Sequence, residues 1–444
     1  MDDFRTIADA LAADIVAGRL LPGDRLPPQR EFAYRRGIAA STASRVYAEL
    51  IRRGLVTGEV GRGTYVRAAS APPSPALSEP AIMPVDLELN FSVLPHQVVV
   101  LTQTLTDLLR HGVPGAALRP VGAAGTPGAR ETAARFLARA GWMPDPAGIL
   151  FTGNGRQAIA ASLAALAPTG ERIGVEAMTY PVVKGIAARL GILLVPLALD
   201  QEGLCPRALA RAHRTAPLRG VYLQPALHNP LGITMGARRR AELASLLQDA
   251  GLLAVEDAVY SFLADEEPLA ALAPGHTILI DSLSKRIAPG VTLGFIAAPP
   301  GLVTKIATAV RSGAWAASGF PLAAGLHWMS EGTAAQISAA KRTDAAARQG
   351  IARKALSGLA LKGDPRAYHL WLELPDPWRA ETYAAAAARQ GIAVTPASAF
   401  AISPGHAPNA VRLALASPPH EELMGALKTL RRLVAVGPED IVVE

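Results

Sequence analysis

The 444-residue chain is poor in several things, and each shortage excludes a class of protein. Its single cysteine, Cys205, rules out an internal disulfide framework and a zinc site of the CxxC type, and no metal site is expected. No uninterrupted apolar run reaches the length of a membrane span; the stretch 191–199 reads as a strand. The opening, MDDF, is acidic and lacks the basic-then-apolar pattern of a secretory signal, so a cytoplasmic location is expected. Lysine is scarce. Of 44 basic residues only Lys184, Lys285, Lys305, Lys341, Lys354, Lys362 and Lys428 are lysines. Aromatics are few, alanine is plentiful and half the residues are apolar, which suits a soluble, helix-rich globular protein. The length exceeds one ordinary core, so two or three domains are expected. A net charge of +7 permits nucleic-acid binding.

One lysine stands in a distinctive place. The stretch 276–294, HTILIDSLSKRIAPGVTLG, opens with an apolar run, 277–280, short enough for a buried strand. Residues 281–284 are expected to turn the chain, and Lys285 follows. An amine just past a buried strand is poorly solvated, which lowers its pKa and makes it nucleophilic toward an aldehyde. Ser282 and Ser284 suit a phosphate. An aldehyde and a phosphate on one small molecule describe pyridoxal 5′-phosphate (PLP). A surface lysine after a strand is the plainer alternative, and SxSK alone does not decide between them.

Residues 1–68 form a separate pattern. An amphipathic helix over 4–17 carries Ile7, Leu11, Ile15 and Val16 on one face. A second helix is expected over 29–36 and a third over 41–53, each stopped by a glycine. Two short strands then flank the polar hairpin 58–63. Three helices and a two-stranded wing make a winged helix-turn-helix, in which the third helix enters the major groove. The segment holds eleven basic and eight acidic residues.

GDRLPPQREFA, STASRVYAELIRRGLV and GRGTYV resemble the reader domain of GntR-type bacterial repressors. The resemblance implies that Arg30, Ser41, Thr42, Arg45, Arg62, Gly63 and Thr64 meet operator DNA. The plainer reading of any one arginine here is a solvated surface. Ala39-Ala40 stand where the family has Ser-Arg, so one base contact is missing.

Residues 69–84, rich in proline, read as a semi-extended linker. Residues 85–92, VDLELNFS, are expected to form the opening strand of the following domain, 85–440. From 149 onward strands and helices alternate, which argues for an α/β sheet. A strand over 149–152 leads through Gly153-Asn154-Gly155 into a helix, where backbone N–H groups can approach a phosphate. Tyr180 can stack on a flat ring or cap a core, Asn229 can donate to a phenolate oxygen, and Asp257 can hold a pyridine nitrogen protonated or cap a helix. His228 reads as a loop residue. Tyr180, Asn229, Asp257 and Lys285 all follow the carboxyl ends of apolar strands, the edge where open α/β sheets bind ligands.

In type, order and spacing NPLG, VEDAVY and SLSK resemble the fold-type I, aspartate-aminotransferase-like PLP enzymes. The resemblance implies a large α/β domain and a small C-terminal α+β domain. It implies that Lys285 carries PLP as a Schiff base and that Asp257 pairs with the ring nitrogen. Asn229 and Tyr260 would hold O3′, Tyr180 would stack on the ring, and Gly155, Arg156, Ser282 and Ser284 would grip the phosphate. Arg412, in NAVRL, matches the carboxylate-binding arginine, with a structural ion pair as its plainer role. Two further departures stand out. Pro120 replaces a tyrosine that reaches the partner subunit's phosphate, and Thr292 replaces an arginine that neutralises the phosphate, so weaker cofactor binding is expected. Arg286 and Arg156 are the candidates to compensate.

A GntR-type reader, a proline-rich linker and an aminotransferase-like domain in that order resemble the MocR regulators. The chain is therefore expected to be a homodimeric, DNA-binding transcription regulator whose large domain senses PLP, an amine or an amino acid through a Lys285 imine. The alternative is a working PLP-dependent aminotransferase with a vestigial reader.

Overall fold

The computed structural model describes residues 4–16, 19–20, 24–52, 55–59, 63–66, 83–110, 117–403 and 407–436. The chain divides into two units, one of Met1–Glu79 with Ser403–Pro408, the other of Pro80–Ile402 with Asn409–Glu444. Almost all of the expected linker, and Arg62 at the expected wing tip, lie outside the described residues.

The first unit is built on three helices, α1 (Phe4–Val16), α2 (Gln29–Arg36) and α3 (Ala40–Arg52). Ala43, Val46, Tyr47 and Leu50 recur at helical spacing along α3 and are buried against Ile7, Leu11 and Ile15 of α1 and Phe32 of α2. The Tyr47 hydroxyl donates to the Pro27 carbonyl at 2.6 Å, and its ring meets Phe32 edge-on at 5.4 Å. Gly37 ends α2 in the left-handed conformation, φ 62°. The wing is larger than the sequence suggested. Arg25–Leu26 forms a strand, β1, and β2 (Val56–Glu59) and β3 (Gly63–Val66) complete an antiparallel sheet of order β1-β3-β2. β1 forms because pairing Leu26 with Thr64 tucks its side chain under Val56 and Val66.

The second unit is organised on a seven-stranded sheet. Its strands are β4 (Ile149–Thr152), β5 (Arg172–Glu176), β6 (Leu193–Leu197), β7 (Gly220–Leu223), β8 (Leu253–Asp257), β9 (Thr277–Ser282) and β10 (Gly294–Ala297). The spatial order is β4-β10-β9-β8-β7-β5-β6, and only β10 runs antiparallel to its neighbours. Helices cover the sheet, so β7, β9 and β10 are buried along their whole length and read as near-continuous apolar runs. A smaller antiparallel sheet, β11 (Ala360–Lys362), β12 (His369–Glu373), β13 (Thr395–Pro396) and β14 (Ala410–Ala414), has the order β11-β12-β14-β13. It shares a core with the helices Thr333–Ala355 and His420–Val436.

Two local expectations change. The strand expected over 85–92 is only Val85–Asp86, paired with Ile392–Ala393. Beyond it Asn90 and Ser92 give their carbonyls to the amines of Lys285 and Lys341 and leave the sheet. β9 runs through Ser282, where a turn was expected, because Ser282 still pairs with Gly294 of β10. Lys285 then sits on a single helical turn, Leu283–Arg286.

Candidate functional site

The parallel strands end along one edge of the large sheet, and the charged and hydroxyl side chains collect there. Asp257, the last residue of β8, is buried. Its Oδ2 accepts from the Tyr222 hydroxyl and from Gln224 Nε2 at 3.0 Å, and its Oδ1 accepts from Val259 N–H at 3.2 Å. Burial raises its pKa, and the bonds from Tyr222 and Gln224 oppose the rise.

Lys285 is half-buried as a side chain, but its amine is enclosed. Nζ donates to the Asn90 carbonyl at 2.7 Å, and lies 3.5 Å from the centre of the Phe91 ring and 5.5 Å from that of Tyr260. Its pKa falls well below the ordinary lysine value, first through burial and then through the charges of Arg412, Arg156 and Lys341. Lys341, on the helix Thr333–Ala355, is fully buried and donates to the carbonyls of Ser92, Lys285 and Ile287 at 2.7, 3.0 and 2.6 Å. Burial pushes it down to about 7, while three carbonyls match the three donors of the ammonium.

The remaining expected residues gather around this pair. Tyr260 is buried, its hydroxyl accepts from Asn90 Nδ2 at 3.0 Å, and its ring lies 5.6 Å from that of His369. His369 is pushed down to about 3, chiefly by burial, so it is neutral at physiological pH. Tyr180 precedes the helix Pro181–Leu190, and its hydroxyl accepts from Arg156 Nε at 3.2 Å. Asn229 Oδ1 lies 3.5 Å from an Arg412 terminal nitrogen, which leaves the Asn229 amide NH2 as a donor. Arg412 also donates to the Glu88 carbonyl and to Thr395 Oγ1 at 2.9 Å. His228 is more than a loop residue: it is buried, with Nε2 3.2 Å from Glu176 Oε2.

On the hydroxyl side, Asn154 caps the helix Gly155–Leu166 by accepting from Gln157 N–H at 3.0 Å. A side chain at Gly155 would put its Cβ 3.2 Å from Ser282 Oγ, so glycine brings this backbone close to the serine. Ser284 and Thr292 share a hydroxyl–hydroxyl hydrogen bond. Arg286 does not turn toward these groups; it is committed to the buried carboxylate of Asp281 at 2.6 Å. That leaves the exposed Arg156 as the guanidinium on this side.

The side chains present fit a PLP-shaped ligand. Asn90 Oδ1, Thr179 Oγ1 and Arg412 Nε are buried with no partner, Asp257 is a buried acceptor, and the glycine turn adjoins the Ser282 hydroxyl. Sequence reasoning missed Asn90, Phe91, Tyr222, Gln224, His369 and Lys341. Tyr222 left one signal, since a tyrosine inside a buried strand needs a partner for its hydroxyl.

In the first unit Arg30, Ser41 and Arg45 are exposed, and Thr42, Gly63 and Thr64 are half-buried. Arg35 pairs with Glu31 and Arg36 lies over Phe32, which gives these two the plainer surface role. Gly63, φ 122°, has the Arg25 side chain beside it; a Cβ there would lie 2.7 Å from Arg25 Nε.

Residues 97–430 match the family described as Aminotransferase class I and II, and residues 4–66 match Bacterial regulatory proteins, gntR family. The chain is 30% identical to YdeF of Bacillus subtilis, named as an uncharacterized HTH-type transcriptional regulator, over 97% of this chain and 94% of that protein. It is 28% identical to the vitamin B6 salvage pathway transcriptional repressor PtsJ of Salmonella typhimurium, over 69% and 70% of the two chains. Among solved structures, an archaeal alanine:glyoxylate aminotransferase superposes with a TM-score of 0.73 at 21% identity, covering 82% of this chain and 93% of that one. Among the described residues no helix is long and apolar enough to cross a membrane.

Proposed function

We propose that this chain, which belongs to the aminotransferase class I and II family and carries an N-terminal gntR-family domain, is a transcription regulator that reads DNA with residues 1–68 and senses a small molecule with residues 85–440. The two-part order is consistent with the MocR regulators. Residues 69–84 link the two. The observation that carries the sensing half is the enclosed, pKa-depressed amine of Lys285, set among Asp257, Tyr260 and Arg412.

Lys285 is the covalent attachment point for PLP. When bound, PLP supplies an electron-accepting ring that reacts with amines. The chain's own residues do the rest. Asp257 holds a proton at the ring nitrogen, tuned by Tyr222 and Gln224. Asn229 and Tyr260 orient the ring oxygen, and Tyr180 covers a ring face. Gly155, Arg156, Ser282 and Ser284 take the phosphate, with Arg156 the cation where Thr292 supplies none. Arg412 receives the carboxylate of an amino-acid effector, because guanidinium donates two parallel hydrogen bonds to such a group. The effector is PLP itself or an amine or amino acid that reaches Lys285. PtsJ is named for vitamin B6 salvage, which supports a PLP-linked signal here.

DNA contact falls to Arg30, Ser41, Thr42, Arg45, Arg62, Gly63 and Thr64 on operator DNA. The large domains form a homodimer, since two-fold symmetry suits paired half-sites. Exposed Val93, Val98, Val99, Leu109, Leu118 and Phe320 supply apolar surface for it. The test is DNA binding by the full chain with and without PLP and candidate amines, run beside a transamination assay. Turnover without sequence-preferring DNA binding would favour the enzyme alternative.

A further inference from the structure

A second feature of the large unit lies apart from the lysine site. A cavity of about 510 Å³ opens beside the helix Pro127–Leu137, the turn Ser261–Leu263 and the helix Thr333–Ala355, and none of the residues assigned above to PLP lines it. Four arginines do line it, Arg135, Arg139, Arg286 and Arg342, against one acid, Asp265. Two of the four are backed by buried carboxylates. Arg286 bonds Asp281 at 2.6 Å, and Arg139 stands 3.8 Å from Glu256. The other two have no ion pair among the described residues. Arg135 donates to Thr132 Oγ1 at 3.4 Å, and Arg342 uses its Nε on the Phe262 carbonyl at 2.6 Å.

Arg139 is the most informative of them. Its side chain is 8% exposed, yet Nε and Nη1 have no partner. A buried guanidinium with unmade hydrogen bonds is costly, and a ligand that completes them removes that cost. Phe136 and Phe262 flank Arg286, with ring centres 4.9 and 5.3 Å from its guanidinium carbon, so apolar walls stand beside the cations. The volume is in the range of small-molecule sites.

We propose that this cavity is a second ligand site, which takes a small organic anion: a carboxylate or phosphate ester carried on a ring-sized apolar body. Guanidinium forks suit either anionic group, and the phenylalanines suit the ring. The site adjoins the Lys285 backbone. Arg286 follows Lys285 directly, and Lys341, next to Arg342, holds the carbonyls of Lys285 and Ile287. The inference does not depend on PLP at Lys285.

The test is calorimetric titration of the full chain with phenyl phosphate, benzoate and inorganic phosphate, before and after one equivalent of PLP is fixed on the chain by borohydride reduction and free PLP is removed. Phenyl phosphate or benzoate should bind at one site per chain in both conditions, and the tighter of the two identifies the anionic group. Inorganic phosphate, with no apolar body, should bind far more weakly. Arg139→Met and Arg342→Gln should each weaken binding roughly tenfold, the loss of one charge-assisted hydrogen bond. Arg342 is exposed, so that variant serves even where Arg139→Met fails to fold. Four results would overturn the proposal: no binding of either organic anion, binding abolished in the PLP-loaded chain freed of excess PLP, affinity unchanged in Arg342→Gln, or inorganic phosphate binding as tightly as phenyl phosphate.

Discussion

At Lys285 burial and three neighbouring cations act in one direction, and only Asp257 opposes them. The amine therefore loses its proton at a lower pH than an ordinary lysine does. The expected outcome is a rate of covalent PLP capture whose rise with pH is complete at a lower pH than for a lysine of ordinary pKa, ~10.4; a rate still rising through that value would contradict it. Stopped-flow absorbance checks this, and Lys285→Ala should abolish the visible band of the reconstituted protein; a band that survives would reassign the attachment point. Thr292→Arg should tighten PLP binding, because it adds a cation beside Ser284. Unchanged affinity in an equilibrium titration would mean that Arg156 already neutralises the phosphate. Lys285 and Asp257 were legible in the sequence because each follows an apolar run that names its strand. Asn90, Phe91 and Lys341 were not, since they come from segments with no local signature and reach Lys285 only through the folded chain. Arg286 and Arg156 could not be told apart either, because a side chain's direction is set by its packing, here by Asp281 behind Arg286.

The elements were easier to read than the side chains they carry. Buried strands announce themselves as apolar runs, and six of the seven strands of the large sheet run parallel as the alternation of strands and helices implied. β1 escaped notice because two residues, Arg25–Leu26, carry no periodicity, and their pairing with β3 is set by tertiary packing. The junction of β10 with β4 is where an element and the site are most tightly joined. Gly294 pairs with Ser282 on one side and Thr152 on the other, and a Cβ there would fall 2.2 Å from Thr152 Oγ1 and 2.5 Å from the Asn154 carbonyl. Gly294→Ala should thus displace the glycine turn at Gly155, costing about 1–3 kcal/mol in chemical denaturation and weakening PLP binding. Wild-type stability and PLP affinity in that variant would show that the turn has slack. In the reader, Leu50→Ala should cost roughly 2–5 kcal/mol in the unfolding of that unit alone and leave the PLP spectrum unchanged.

At the scale of the whole molecule the two units bring different chemistry to one chain, and the regulatory proposal requires that they work together. Sedimentation should show a dimer, and charged substitutions at Val98 and Val99 should dissociate it; a wild-type monomer at working concentration would argue against paired half-sites. Within the reader, Arg45→Ala should lower operator affinity by about 1–3 kcal/mol if it makes a bidentate base contact. Arg62→Ala should weaken specific and random duplex alike and flatten the salt dependence, as the loss of a phosphate contact does. The most direct measurement is the affinity of the full chain for the promoter region upstream of its own gene and for random duplex, over a salt series, with and without PLP and candidate amines. The expected result is tighter binding to the promoter DNA, with a strength that PLP or an amine changes and that Lys285→Ala makes insensitive to PLP. Equal affinity for both duplexes under every condition would contradict a regulatory role and leave the aminotransferase alternative.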